Sequence, residues 1–164
     1  ELAGKLDGWR KAVGARMMRR NPGYVPNPQA KDGTITLPAR AADVHGNQLR
    51  YEPAPHKNTL GYWTDAGDWA SWELTVKQPG TFAVEVLQGC GKGQGGAEVE
   101  LSVAGQSLRF KVEDTGGFQN FKPREVGRVK LDAGRLTLTV KARSKPGAAV
   151  MDLRSVTLRP VASR

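Results

Sequence analysis

The sequence predicts an all-β protein, a jelly-roll β-sandwich preceded by a short amphipathic helix and a Pro-rich linker. From Asp32 onward, apolar residues recur with a period of two, which buries one face of a strand and wets the other. Turn residues separate these runs at regular intervals, as in sandwiches and jelly rolls. The composition, 20 Gly and 10 Pro with an apolar fraction of 38%, suits strands and turns better than a helical bundle. One domain fits 164 residues, with room for an appendage. The expected division is helix and linker over 1–31 and sandwich over 32–164.

Leu2, Leu6, Trp9, Val13 and Met17 recur at three- and four-residue steps, the stripe of an amphipathic helix. Gly4, Gly8 and Gly14 weaken it, each by about 1 kcal/mol relative to Ala. Arg19-Arg20 suits the negative end of a helix. The stripe needs a surface to bury against, either the sandwich or a domain outside this sequence. Asn21 to Pro28, with Pro22, Pro26 and Pro28, fits neither a helix nor a central strand and reads as a linker or an extended strap.

Ile35 and Leu37 mark a first strand, and Leu49 and Tyr51 another after the Gly46-Asn47 turn. Ala70, Trp72, Leu74 and Val76 alternate with Ser71, Glu73 and Thr75. Gln78-Pro79-Gly80 reverses the chain, and Phe82, Val84 and Val86 alternate again, which predicts an antiparallel hairpin. Val99 to Val103, Leu108 to Val112, Val129 to Leu131 and Leu136 to Val140 continue the pattern. The last strand, Val150 to Leu158, slips parity between Leu153 and Val156, which predicts a β-bulge. Trp72 has core parity, whereas Trp63 sits in a polar loop with Tyr62, Thr64 and Asp65 and is a candidate contact residue.

No run approaches eighteen apolar residues, so no membrane-spanning helix is expected. No secretion signal is visible, and the Glu start reads as a fragment or a processed product. The single Cys90 rules out an internal disulfide and a multi-cysteine metal site, and it lacks a sequence-evident catalytic partner. Net charge is +9. It is concentrated at the front, where residues 1–31 carry seven Lys/Arg against Glu1 and Asp7. Such a balance can favour polyanions. The aromatic-basic strand signature of nucleic-acid binders is missing, so only weak, salt-sensitive association is expected there.

Gly91 to Gly96 spells a formal G-x-G-x-x-G, but a strand follows it instead of the helix a dinucleotide site needs, and Lys92 is followed by Gly, not Ser or Thr. The loop can still place Lys92 and Gln94 near a ligand. His45 and His56 lack metal-ligand spacing, and no metal or cofactor is expected. Hydrolysis would need two carboxylates facing one cleft. Asp65 and Asp68 are close, but Asp68 stands where a strand begins and reads as a turn cap. The loop Asp114 to Phe121 offers Phe118, Gln119 and Asn120. Rings stack on apolar sugar faces and amides reach hydroxyls, although the same residues describe a capped loop anchored by Phe121.

Several features run in one order: Trp63, Gly67-Asp68-Trp69, Trp72, Pro79-Gly80-Thr81-Phe82, Thr115-Gly116 with Phe118, Val129 to Gly134, and Val150-Met151-Asp152-Leu153. This order, from Asp32 to Pro160, resembles family 6 and family 35 carbohydrate-binding modules, which are β-sandwich jelly rolls. The resemblance implies a sugar cleft among loops at one end, lined by Trp63 (or Tyr62) and Phe118. Lys145 would stand in the loop before the last strand and suit a sulfated sugar. It also implies a calcium between first-strand carboxylates and Asp152. Arg40 stands where a Glu is expected, so Arg40 is expected to pair with Asp152 in its place.

Leu6 to Trp9, Val13 to Met17 and Asn21 to Tyr24 are similar to the extreme C-terminus of bacterial, planctomycete-like sulfatases of the arylsulfatase type. The Cys/Ser-x-Pro-x-Arg nucleophile motif of that family is absent, since Cys90 precedes Gly91-Lys92. The combined expectation is a non-catalytic, glycan-binding accessory module of a sulfatase, periplasmic or secreted. Its contacts would come from Trp63, Tyr62, Phe118, Asn120, Lys145, Lys92 and Gln94, and its partner in cis would be the sulfatase catalytic domain. The alternative is a structural domain that docks through the helix stripe and binds no sugar.

Overall fold

The computed structural model describes residues 2–13 and 21–162. Helix α1 spans Leu2–Ala12, and eleven strands follow. They are β1 (Ile35–Pro38), β2 (Asp43–His45), β3 (Arg50–Glu52), β4 (Thr59–Gly61), β5 (Trp69–Val76), β6 (Gly80–Cys90), β7 (Glu98–Val103), β8 (Gln106–Lys111), β9 (Gly117–Leu131), β10 (Gly134–Ala142) and β11 (Asp152–Pro160). One antiparallel sheet runs β3-β4-β11-β6-β9, with β1 also on β11; the other runs β2-β5-β10-β7-β8. The inward faces of both close on one core that includes Trp72, Phe82, Leu101, Leu138 and Val156. This is the all-β sandwich that the alternation predicts.

The expected hairpin across Gln78-Pro79-Gly80 does not form. β5 pairs with β2 and β10, whereas β6 pairs with β11 and β9, so the turn carries the chain from one sheet to the other. Alternation is equally satisfied by a hairpin and by an arch between layers, because both put the apolar set into the core. Trp72 is fully buried and its Nε1–H donates to Pro38 O at 2.9 Å. The bulge in the last strand lies between Leu153 and Ser155.

The segment expected as a loop up to Phe121 belongs to β9 from Gly117 onward. β9 is an edge strand, paired among the described residues only with β6. An edge tolerates Pro123 and an interrupted apolar pattern, which is why the pattern hides it.

Residues 26–29 form a strap along the same edge of β5 that β2 pairs with, covering the stretch beyond β2. Pro28 bridges Thr75 in parallel, Gln29 N–H donates to Thr75 O at 3.1 Å, and Asn27 Nδ2 donates to Glu73 O at 2.7 Å. The buried Gln29 Oε1 accepts from Lys77 N and Gln78 N at 2.9 and 2.8 Å. Covering a sheet edge removes a row of unpaired backbone groups. In α1, Trp9 is exposed, and Val13 just beyond it is exposed too, so this part of the stripe is not buried on the sandwich. Met17 and the side chains of Leu2 and Leu6 lie outside the described residues.

Candidate functional site

Where β4 and β6 end and β9 and β11 begin, the rim of the first sheet opens into a cleft of about 200 Å³. Tyr62 and Phe118 line it together. Tyr62 follows the last residue of β4 at φ 55, a left-handed conformation that non-Gly side chains seldom adopt. That backbone swings the ring out, leaving the residue 46% exposed. The Arg50 guanidinium stacks on the ring, 3.7 Å from its centroid. Phe118, partly exposed, lies on the backbone of Gly91, where a Cβ would come within 2.7 Å of the ring. The Gly-rich stretch therefore serves close packing beneath an aromatic residue.

The polar side of the cleft comes from three adjacent strands. Glu52 ends β3, Gly61 ends β4 and Asp152 begins β11. A Cβ on Gly61 would lie 2.2 Å from Glu52 Oε2 and 3.4 Å from Asp152 Oδ1, so the glycine leaves room for both carboxylates to converge above it. Lys57 Nζ donates to Glu52 Oε1 at 2.6 Å, and that bond raises the lysine above its ordinary pKa. Arg154 fixes the loop that carries Lys57. Its Nε donates to Lys57 O at 3.0 Å and its Nη2 to His56 O at 2.9 Å, while its guanidinium lies 3.8 Å from the Phe121 centroid.

Asp152 is only 5% exposed. Its Oδ2 accepts one long bond, 3.4 Å, from Gln119 Nε2, and Oδ1 has no hydrogen-bond partner among the described residues. Burial pushes its carboxyl up to about 6, against the pull of the Gln119 bond and with a further push from the Glu52 charge. Glu52 and Asp152 stand on the same wall. Glycoside hydrolysis needs carboxyls that flank the scissile bond, an arrangement that two carboxylates over one glycine do not make.

The sequence-predicted residues divide. Tyr62 and Phe118 meet in the cleft. Trp63 does not: it is fully buried, its Nε1–H donates to Asp68 O at 3.0 Å, and its carbonyl accepts from Val150 N at 2.8 Å. The positive φ at Tyr62 goes with a ring turned outward and a next side chain turned inward, so of the two expected aromatics only Tyr62 reaches the cleft. Lys145 spends its ammonium on its own loop, donating to Gly147 O and Ala148 O at 2.9 and 3.3 Å. Gln94 is a strut between loops, its Oε1 accepting from Ala148 N at 2.6 Å. Asn120 Nδ2 donates to Thr115 O, and neither Asn120 nor the exposed Lys92 lines the cleft. Phe121 is partly exposed beneath Arg154, not a buried anchor.

Arg40 is exposed and does not pair with Asp152, whose charged neighbours are Glu52 and Lys57. Nor do the residues at that end of the first strand fit a calcium ion, which needs several oxygen ligands. Pro38, Ala39 and Arg40 stand there, and among the described residues no three of His, Cys, Asp and Glu gather closely enough to hold a metal. Cys90 is buried, and burial pushes its thiol up, away from the reactive thiolate. His45 stacks on Trp69 with centroids 3.7 Å apart and shares a 2.9 Å hydrogen bond with Ser71 Oγ.

Sequence reasoning missed Glu52, Lys57 and Thr64 as cleft residues, offered Gln119 only as one of two loop amides, and met Asp152 only through calcium. Only the β3–β4 pairing, Arg50 opposite Gly61 and Glu52 opposite Thr59, places Glu52 diagonally across from the glycine. The one sequence signal was Gly61 directly before Tyr62.

No protein-family profile matches the chain. No curated protein matches it in sequence either. Solved structures do. The C-terminal family 6 carbohydrate-binding module of a marine laminarinase from Zobellia galactanivorans superposes with a TM-score of 0.62 at 19% identity, over 77% of this chain and 98% of that one. A family 35 module from Clostridium thermocellum gives 0.61 at 15%, over 78% and 98%. A family 6 module of the Cellvibrio mixtus lichenase 5A, solved with cellotriose, gives 0.60 at 22%, over 78% and 98%. At these identities the likeness shows the architecture: the chain carries the β-sandwich fold of family 6 and family 35 carbohydrate-binding modules.

Proposed function

We propose that this chain is a non-catalytic carbohydrate-binding module that seats a sugar on Tyr62 and Phe118. One observation carries the reading: two partly exposed rings share a single cleft whose other wall is made of hydrogen-bonding groups. Rings take the apolar face of a pyranose, and Gln119, Thr64 and the carboxylates take its hydroxyls. Such a cleft gives modest affinity, because few contacts remain after the costs of ordering the partners. The test is calorimetric titration with a panel of oligosaccharides. Tyr62→Ala is expected to weaken binding by about tenfold or more, as loss of an aromatic anchor does. A bound sugar that ignores both Tyr62→Ala and Phe118→Ala would remove the cleft from the account.

The refinement to a sulfated glycan rested on Lys145, whose ammonium is committed to its own loop, and Lys57 is committed to Glu52. The link to a sulfatase catalytic domain, and with it a periplasmic or secreted location, rests on sequence resemblance. Among the described residues, no helix is long and apolar enough to cross a membrane. A second reading, a domain that docks on a neighbour without binding sugar, is favoured by the exposed Trp9 and Val13. Silence across the whole oligosaccharide panel would select it.

A further inference from the structure

The cleft holds more acceptors than donors. Glu52 and Asp152 face it with one cation, Lys57, which is already bonded to Glu52 Oε1. Arg50 is stacked on the Tyr62 ring and does not line the cleft, and Arg154 is occupied by the Lys57 and His56 carbonyls. Asp152 is only 5% exposed, holds one long bond, and turns to the solvent of the cleft an Oδ1 that has no protein partner among the described residues. A carboxylate in that position is costly until a donor completes its shell.

We propose that the preferred ligand of this cleft is an amino sugar with a free amine, held between Asp152 and Glu52, and that units carrying sulfate or carboxylate are rejected. The inference rests on the glycan-binding reading above and names the sugar class. The geometry favours nitrogen over oxygen. Glu52 Oε2 and Asp152 Oδ1 both stand over Gly61, 2.2 and 3.4 Å from where its Cβ would be, so the two oxygens are near enough to each other for one ligand atom lying beyond them to bond to both. A hydroxyl has one hydrogen to donate. An amine has two, or three when protonated, and protonation adds charge-assisted bonds to both carboxylates. An N-acetyl group removes the cation and adds bulk at the same place. A sulfate or uronate would set acceptors against acceptors and like charge against like.

The whole-molecule charge sharpens the inference. At +9 the protein repels polycations and attracts polyanions in general, so a preference for an amine must come from the local cleft. The experiment is titration of the full chain at pH 7 with four hexasaccharides: glucosamine, N-acetylglucosamine, glucose and a sulfated glucan. Wild type, Tyr62→Ala and Asp152→Asn are compared, with calcium titrated separately. The free-amine hexamer is expected to bind about tenfold tighter than its acetylated and neutral counterparts, and Asp152→Asn to shrink that ratio toward one. Sulfated glucan should show only Tyr62-independent, salt-sensitive association.

Neutral or sulfated hexamers that bind through Tyr62 as tightly as the amine overturn this inference and leave the glycan-binding reading standing. An amine preference unchanged in Asp152→Asn overturns it too, as does calcium binding that disappears in Asp152→Asn. Failure of every hexamer to bind, or binding of the amine and neutral hexamers that is indifferent to Tyr62→Ala, brings down the glycan-binding reading and this inference together.

Discussion

Two aspartates of this sandwich are almost equally buried, Asp68 at 2% exposure and Asp152 at 5%, and their surroundings are opposite. Asp68 accepts three backbone N–H bonds, from Asn47 at 3.0 Å and from Gln48 and Leu49 at 2.8 Å each. Burial pushes its carboxyl up, but the three bonds outweigh burial and hold it below the usual carboxylate range. Gly46, at φ 126, lets the loop close over it, because a Cβ there would strike Asp68 Oδ1 at 1.9 Å. Asp152 has one long bond and is pushed up to about 6. A buried charge that the fold has fully satisfied is a structural element. One left half-satisfied at the wall of a cleft is a candidate site, and the proposed ligand would complete it.

The largest effect expected from this contrast is at Asp68. Asp68→Ala leaves three loop N–H groups without their acceptor and should cost about 3–5 kcal/mol in urea unfolding. A loss under about 1 kcal/mol would mean that the loop finds water instead and that the contrast is empty. Because the folded pKa is depressed, this contribution is present above about pH 4 and lost as pH falls through the lower folded value.

Asp152→Asn should act in the other direction. A carboxyl raised in the folded state makes stability fall as pH climbs from about 4 to about 6, and the penalty persists above that. Removing the charge is expected to stabilise the fold by about 2 kcal/mol at pH 7.5 and by almost nothing at pH 3. Denaturation curves at the two pH values measure it. Destabilisation at pH 7.5 would show that Asp152 is as well satisfied as Asp68.

The smallest effect concerns the aromatic side of the cleft. Gly91→Ala should displace the Phe118 ring, because the added Cβ meets it at 2.7 Å. Overpacking of this kind costs about 1–3 kcal/mol, and sugar affinity should drop several-fold in calorimetry, less than for Tyr62→Ala. Unchanged affinity would leave Tyr62 as the working platform and Phe118 as packing.

The sequence shows the sandwich because strand alternation is a local signal: Ala70 to Val76 and Phe82 to Val86 each declare a buried face. It also shows the Asp68 cap and the bulge near Leu153, since both are local departures from a pattern. It does not show how strands pair. β5 and β6 look like a hairpin and lie in different sheets. Nor does it show a single backbone dihedral, and the positive φ of Tyr62 goes with the burial of Trp63, which leaves Tyr62 as the exposed one of the two rings. The carboxylate wall is less visible still. Glu52, Gly61 and Asp152 are far apart in sequence, and only the order β3-β4-β11 sets them side by side.

The Phe118 ring lies on the Gly91 backbone, which has no side chain to hold it off. The ring is thereby parked before any ligand arrives. Freezing a mobile side chain on association usually costs about 0.5–1.5 kcal/mol, and here that entropy is already lost during folding. For the proposed sugar site, shallow and with few contacts, such a saving would be a large share of the net affinity. It would also let capture proceed without waiting for the ring to settle.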